Sequence, residues 1–169
     1  FIYGSLLCDA TPIDLKLGNT DYAAIIEDIE TVMEAGAKSI LLHLNSGGGT
    51  VQGNIEVAEY IQNLALPVVA YVDGVACSAA YKLACSATYI VSSKSAVVGN
   101  IGSILVKLDT SVATKAMGIS YQAFVNDGAI YKSTGHLDSL TEDQKSFLQQ
   151  SVDEAGSNFQ QHVISNRPS

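Results

Sequence analysis

A short apolar run, Ser39-Ile40-Leu41-Leu42-His43-Leu44, stops at Asn45-Ser46-Gly47-Gly48-Gly49 and gives way to a helix-length segment from Val51 to Leu64. That order constrains the fold more than any other feature. A buried strand followed by a helix returns the chain to start the next strand parallel to the first. The pattern then recurs. Pro67 to Val72 is a second apolar strand, and Ser78 to Ala87 is a run of small apolar residues that reads as a buried helix.

The flanking segments fit the same plan. Thr20-Asp21 caps a helix whose apolar stripe is Tyr22, Ile25, Ile26, Ile29, Val32 and Met33, with Gly36 at its end. Tyr89-Ile90-Val91, Ile101 to Val106 and Ser120 to Val125 read as strands. Thr110 to Met117 is a short helix stopped by Gly118. A polar loop covers Asn126 to Ser139. Thr141-Glu142-Asp143-Gln144 is a capping box that opens a final helix running to about Asn166. The expectation is an α/β domain with crossover connections, without internal repeats of sequence or low-complexity linkers.

Size and charge narrow the function. A chain of 169 residues suits one domain over 1–169, read as part of a longer chain because it starts with Phe rather than Met. Only 15% of residues are charged against 47% hydrophobic, so faces covered by other copies or by an extended apolar substrate are expected. A net charge of −8 and the absence of any Lys/Arg cluster argue against nucleic acid. Cys8, Cys77 and Cys85 are odd in number and lack zinc-type spacing, so they read as reduced core thiols, and no metal or cofactor is expected. No apolar run approaches the ~20 residues needed to span a bilayer.

Two places carry candidate chemistry. The Gly47-Gly48-Gly49 run lies between a strand and a helix, where free amides can meet negative charge, or where glycine simply permits a turn. Ser78 stands after Asp73-Gly74-Val75-Ala76-Cys77, at the start of a helix, with the Ala79 amide beside it. It reads either as a nucleophile or as a small N-cap. Ala76 and Ala80 exclude the Gly-x-Ser-x-Gly elbow. Cys77 is the neighbouring nucleophile candidate. Lys132 lies in Ala129-Ile130-Tyr131-Lys132-Ser133-Thr134-Gly135, either as a surface lysine or as a base desolvated by Ile130 and Tyr131. His136 is the rival base, while His43 and His162 read as structural.

Four segments in order resemble a known family: Asn45-Ser46-Gly47-Gly48-Gly49-Thr50-Val51, Ala76-Cys77-Ser78-Ala79-Ala80-Tyr81, Val98-Gly99-Asn100-Ile101-Gly102 and Tyr131-Lys132-Ser133. They are similar to signal peptide peptidase A and to the phage capsid-assembly proteases of the same serine-peptidase family. The resemblance spans about Ser39 to Asn166. It implies a Clp protease/crotonase-like single α/β domain with repeated β-β-α units. It implies that Ser78 is the nucleophile, Lys132 the general base, and Gly48 and Ala79, with Gly49 beside them, the oxyanion-hole amides. Asn100 stands where the family often has a lysine-orienting serine, and Gly47 where proline is common. The implied partners are a peptide or unfolded protein, such as leftover signal peptides or phage capsid and scaffold proteins, and further copies of the chain in a ring or dome. The implied location is the cytoplasm, including a phage prohead there, or a membrane reached through an anchor outside this sequence.

Two other readings use the same fold. A crotonase-type acyl-CoA enzyme needs the oxyanion hole but no nucleophilic serine. A catalytically inactive assembly module needs neither. A Ser-His-Asp triad would need a histidine some 25 residues past Ser78, and position 103 is serine.

Overall fold

The structure, a computed structural model, describes residues 1–132 and 137–167. It divides into two compact units, Phe1–Gly102 with Ser157–Ser169, and Ser103–Gly156. The first holds β1 (Ile2–Leu7), α1 (Pro12–Lys16), β2 (Thr20–Asp21), α2 (Tyr22–Glu34), β3 (Ile40–Gly49), α3 (Asn54–Gln62), β4 (Val68–Cys77), α4 (Ala79–Ser86), β5 (Tyr89–Ser92) and β6 (Val97–Gly99). The second holds α5 (Ser111–Ala116) and the start of α6 (Glu142–Asn166), whose last residues belong to the first unit.

The strands form one sheet in the order β2-β1-β3-β4-β5, and β6 also pairs with β4. Every pairing is parallel. Strand β4 divides its partners along its length. Val69 to Val72 pair with β5, and Val75 to Cys77 pair with β6. The parallel order follows from the helical crossovers anticipated from the alternating pattern.

One face of the sheet makes the core. Ile40, Leu42 and Leu44 of β3 and Val68, Ala70 and Val72 of β4 meet Ile25 and Ile29 of α2, Val57 and Ile61 of α3, and Leu83 of α4. Burying each such aliphatic side chain contributes roughly 1.5–3 kcal/mol. The run read as a fully buried strand is therefore buried only at alternate positions. Leu41 is 65% exposed, and His43 lies half-buried on the open face instead of in the core. There its Nε2 is 2.8 Å from Asp73 Oδ2, Tyr3 Oη is 3.2 Å from its Nδ1, and Tyr71 packs against the ring.

The glycine run is strand, not turn. Gly48 pairs with Ser5 and Gly49 with Leu6, and the chain breaks only afterwards, before Asn54. The backbone of Leu6 explains why glycine is needed: a Cβ on Gly49 would sit 1.8 Å from Leu6 O. The N-terminal β1 and α1 carry no clear periodicity. β1 is interrupted by Gly4, whose left-handed φ of +64° and close approach to Gly18 O disguise the strand.

The expected strands at 101–106 and 120–125 do not form. Their apolar side chains are exposed, Val106 at 82% and Phe124 at 92%. Apolar composition signals a surface to be covered, but a strand also needs a hydrogen-bonding neighbour. The helices of this unit do match expectation. Thr141 and Gln144 make the reciprocal bonds of the capping box, and α6 ends at Asn166. Upstream of α5, hydrogen bonds from Ser111 and Ser139 hold the Asp109 carboxyl at about 2.

Candidate active site

Ser78 occupies the junction of β4 and α4 with φ 52° and ψ −126°. A non-glycine residue in this region stores of order 1–3 kcal/mol of strain. Two backbone bonds hold it there. Its amide donates to Gly99 O at 2.8 Å, and its carbonyl accepts from Lys82 N at 3.1 Å. Its side chain makes no capping bond to the helix, so the plain N-cap role considered for it is not the one it plays. Ser78 is half-buried, at the exposed end of a helix whose next residues, Ala79 and Ala80, are buried.

The ladder from β3 to β4 ends at Ser46 paired with Ala76, so the following glycines meet Ser78. Gly48 has φ +110°, and a Cβ on it would stand 2.7 Å from Ser78 Cβ and 3.1 Å from Ala79 N. Gly48, Ser78 and Ala79 are thus brought together from three sequence positions. The Ala79 amide belongs to the first turn of α4, where amides have no partner within the helix. The Gly48 amide donates to Ser46 Oγ at 3.1 Å, and Ser46 in turn donates to Gly4 O at 2.6 Å. Gly49 is turned to β1, with Leu6 filling the space beside it. Gly48→Ala adds a methyl group where Ser78 already stands, at a left-handed φ. We expect it to destabilise the protein by about 2–4 kcal/mol in denaturant melts, with a lowered yield of folded protein.

Sequence reading missed two buried polar residues. Ser46, 2% exposed, ties the glycine segment to β1. Asn54, 3% exposed, donates from Nδ2 to Ala79 O at 3.1 Å and so fixes the first turn of the Ser78 helix. An asparagine at a helix start is the one signal that could have flagged Asn54. Ser46 has no signal outside the fold.

The other candidates are placed as follows. Asn100 is exposed, has φ 54°, and follows Gly99, whose carbonyl takes the Ser78 amide. Lys132 belongs to the second unit. Gln144 Nε2 donates to Lys132 O at 2.7 Å and to Ile130 O at 3.1 Å, which fixes the backbone there. The Lys132 side chain is exposed, as are Ile130 and Tyr131 at 54% each, with Tyr131 stacked on Phe147. Ile130 and Tyr131 therefore do not bury the amine as anticipated, because both side chains are themselves half open to solvent. His136 lies outside the described residues.

Cys77 Sγ is 3.8 Å from Val97 O, and all three cysteines are free, but only Cys85 is a core thiol. Cys8 and Cys77 are half-buried. Among the described residues no group of three or more His, Cys, Asp or Glu could hold a metal ion, and no helix is long and apolar enough to cross a membrane.

Behind Ser78, α4 carries a lysine among small apolar residues. Lys82 is 5% exposed, and burial pulls its amine below the ordinary lysine value despite the attraction of Glu59 and Glu56. His162, on α6, is likewise held below the usual imidazole value, first by burial and then by the Lys82 charge. The unfolded chain therefore binds a proton at His162 before the folded one does. Stability is full above about pH 6.5 and falls as pH drops from there toward the folded value. Melting temperature is expected to decline between pH 7 and pH 5, with a shallower decline in His162→Gln.

A parallel sheet with a strained serine at a strand–helix junction, facing a glycine-bearing strand end, defines a Clp protease-like α/β fold. The Clp protease family profile matches residues 5–98, and the profile of peptidase family S49 matches residues 61–169. The chain belongs to peptidase family S49. It is 31% identical over 149 residues to a protein of Methanocaldococcus jannaschii named as a protease, covering 86% of this chain and 47% of that one. It is 30% identical over 155 residues to a protein of Haemophilus influenzae named protease SohB, covering 88% of this chain and 43% of that one. The chain spans about half the length of these curated relatives. Among solved structures, a membrane-bound stomatin-specific protease is similar at 12% identity and TM-score 0.47, over 97% of this chain and 68% of that one.

Proposed function

We propose that this chain is the catalytic part of a serine endopeptidase, with Ser78 as nucleophile and Lys132 as general base. The observation that supports this most is the close approach of Gly48 to Ser78 and Ala79, which brings a serine on a strained backbone and the first-turn amide of its helix to one strand end. In this mechanism neutral Lys132, from the same chain or a second copy, takes the Ser78 proton. Ser78 Oγ attacks the peptide carbonyl, and the Ala79 amide receives the oxyanion. The Gly48 amide joins it by leaving Ser46 Oγ, since a charged acceptor makes the stronger bond. Asn100 orients the lysine through its amide oxygen.

The substrate is a peptide or unfolded protein. Signal peptide remnants are favoured over phage capsid or scaffold proteins, because the relatives named above come from cellular organisms. Self-association is part of the proposal. The second unit exposes Ile104, Val106, Val112 and Phe124 at 81–92%, which is apolar surface that a further copy would cover. The crotonase reading lacks a use for a serine held at this strained backbone.

A fluorophosphonate probe with peptide mapping tests the proposal. Labelling at Ser78, lost together with casein cleavage in Ser78→Ala, is the expected result. Cleavage without labelling at Ser78 rejects it. No labelling and no cleavage by the assembled protein supports the inactive assembly module.

A further inference from the structure

The helix that begins at Ser78 is held from behind by a polar ladder. Lys82 Nζ donates to Asn158 Oδ1 at 2.8 Å, and Ser86 Oγ lies 3.0 Å from His162 Nε2. Both pairs are separated by 76 residues. Positions 82 and 86 are one helical turn apart on α4, and 158 and 162 are one turn apart on α6, so one face of each helix is matched to the other in register. Arg167 then closes the ladder by donating to the carbonyls of Ala84 and Ala87, which end α4. Apolar packing does little of this. In this stretch of α6, Phe159 is the buried hydrophobic residue, and an open cavity of about 310 Å³ lined by Lys82, Glu59, Asn158 and His162 runs beside the contact.

Lys82 is the telling member. Its neighbours Ala79, Ala80, Leu83, Ala84 and Cys85 are all buried and small or apolar, and a buried amine among them is costly. The amine does not turn toward Ser78. It reaches α6, while its own backbone amide bonds Ser78 O. A displacement of Lys82 therefore pulls directly on a residue held at a strained positive φ.

We propose that Asn158, acting through Lys82, is a positioning residue that sets the placement of Ser78 from the last helix. The inference rests on Ser78 being the nucleophile. Loss of the pair lets α4 shift by a fraction of an ångström, and misplacement of a reacting group is expensive in rate. Asn158 is exposed, so truncating it spares the core.

The test compares Asn158→Ala, Lys82→Met, the double variant and Asn158→Asp, well below their melting temperatures. Three quantities are followed: peptide turnover, the rate of fluorophosphonate labelling of Ser78, and hydrogen exchange of the amides of residues 79–82. Asn158→Ala and Lys82→Met are each expected to lower kcat and labelling about five- to tenfold. KM should stay within about twofold. Amide exchange in the first turn of α4 should quicken about tenfold. The double variant should be no worse than Lys82→Met, and Asn158→Asp, which offers the lysine a carboxylate, should keep kcat within about twofold of the parent. If Asn158→Ala only melts earlier, with kcat, labelling and exchange unchanged, the proposal is overturned. It is also overturned if the two single effects multiply. Should Lys82→Met fail to fold, Asn158→Ala decides alone. If the parent is not labelled at Ser78, the nucleophile assignment has failed instead, and the exchange of residues 79–82 still decides whether the ladder holds the helix.

Discussion

Ser78→Ala is expected to abolish peptide cleavage, by ~10⁴-fold or more, while the protein folds as before. The structure makes this a clean substitution. The hydroxyl makes no bond to the helix end, so no cap is lost with it. The backbone strain at φ 52° is the same for alanine as for serine, so stability should change little. Ser78→Gly is the informative companion. It removes the strain as well as the hydroxyl and should be more stable than Ser78→Ala by about 1 kcal/mol in denaturant melts. If Ser78→Ala turns over normally, the neighbouring Cys77 becomes the residue to replace.

Lys132→Arg should be nearly as inactive, with cleavage reduced ~10²–10⁴-fold despite the retained charge. Arginine cannot give up its proton under working conditions, whereas a lysine can once it is desolvated. A free lysine, near 10.4, is almost wholly protonated at neutral pH. The exposed side chains of Lys132, Ile130 and Tyr131 leave that desolvation to substrate or to a second copy. Cleavage should therefore rise with protein concentration. A Lys132→Arg variant as active as the parent, with His136→Ala inactive, replaces the Ser–Lys pair by a Ser–His one.

Much of the first unit was legible because its elements are short and strictly patterned. The stripe from Tyr22 to Met33 marks α2, and the run of mostly small residues from Ser78 to Ala87 reads as a buried helix. The glycine run was misread as a turn because sequence shows that a Cβ is absent, not what occupies its place. At Gly49 the occupant is the backbone of Leu6. Ser78, Gly48 and Ala79 could be picked out in the sequence, and Gly48 lies against the other two. Their supports could not. Ser46, Asn54 and Asn158 matter through partners 25 to 76 residues away, and nothing local to them records those distances. In 101–106 and 120–125 apolar composition suggested strands, but it cannot tell a pairing edge from a surface awaiting cover.

Ser78 and Asn100, both at φ above 50°, stand on either side of the hydrogen bond from the Ser78 amide to the Gly99 carbonyl. Selection for heat resistance alone would reward glycine at either position, since glycine takes a positive φ without steric cost. A library of this protein sorted by survival on heating should thus drift away from serine and asparagine at these two places, and its hardiest members should be poor proteases.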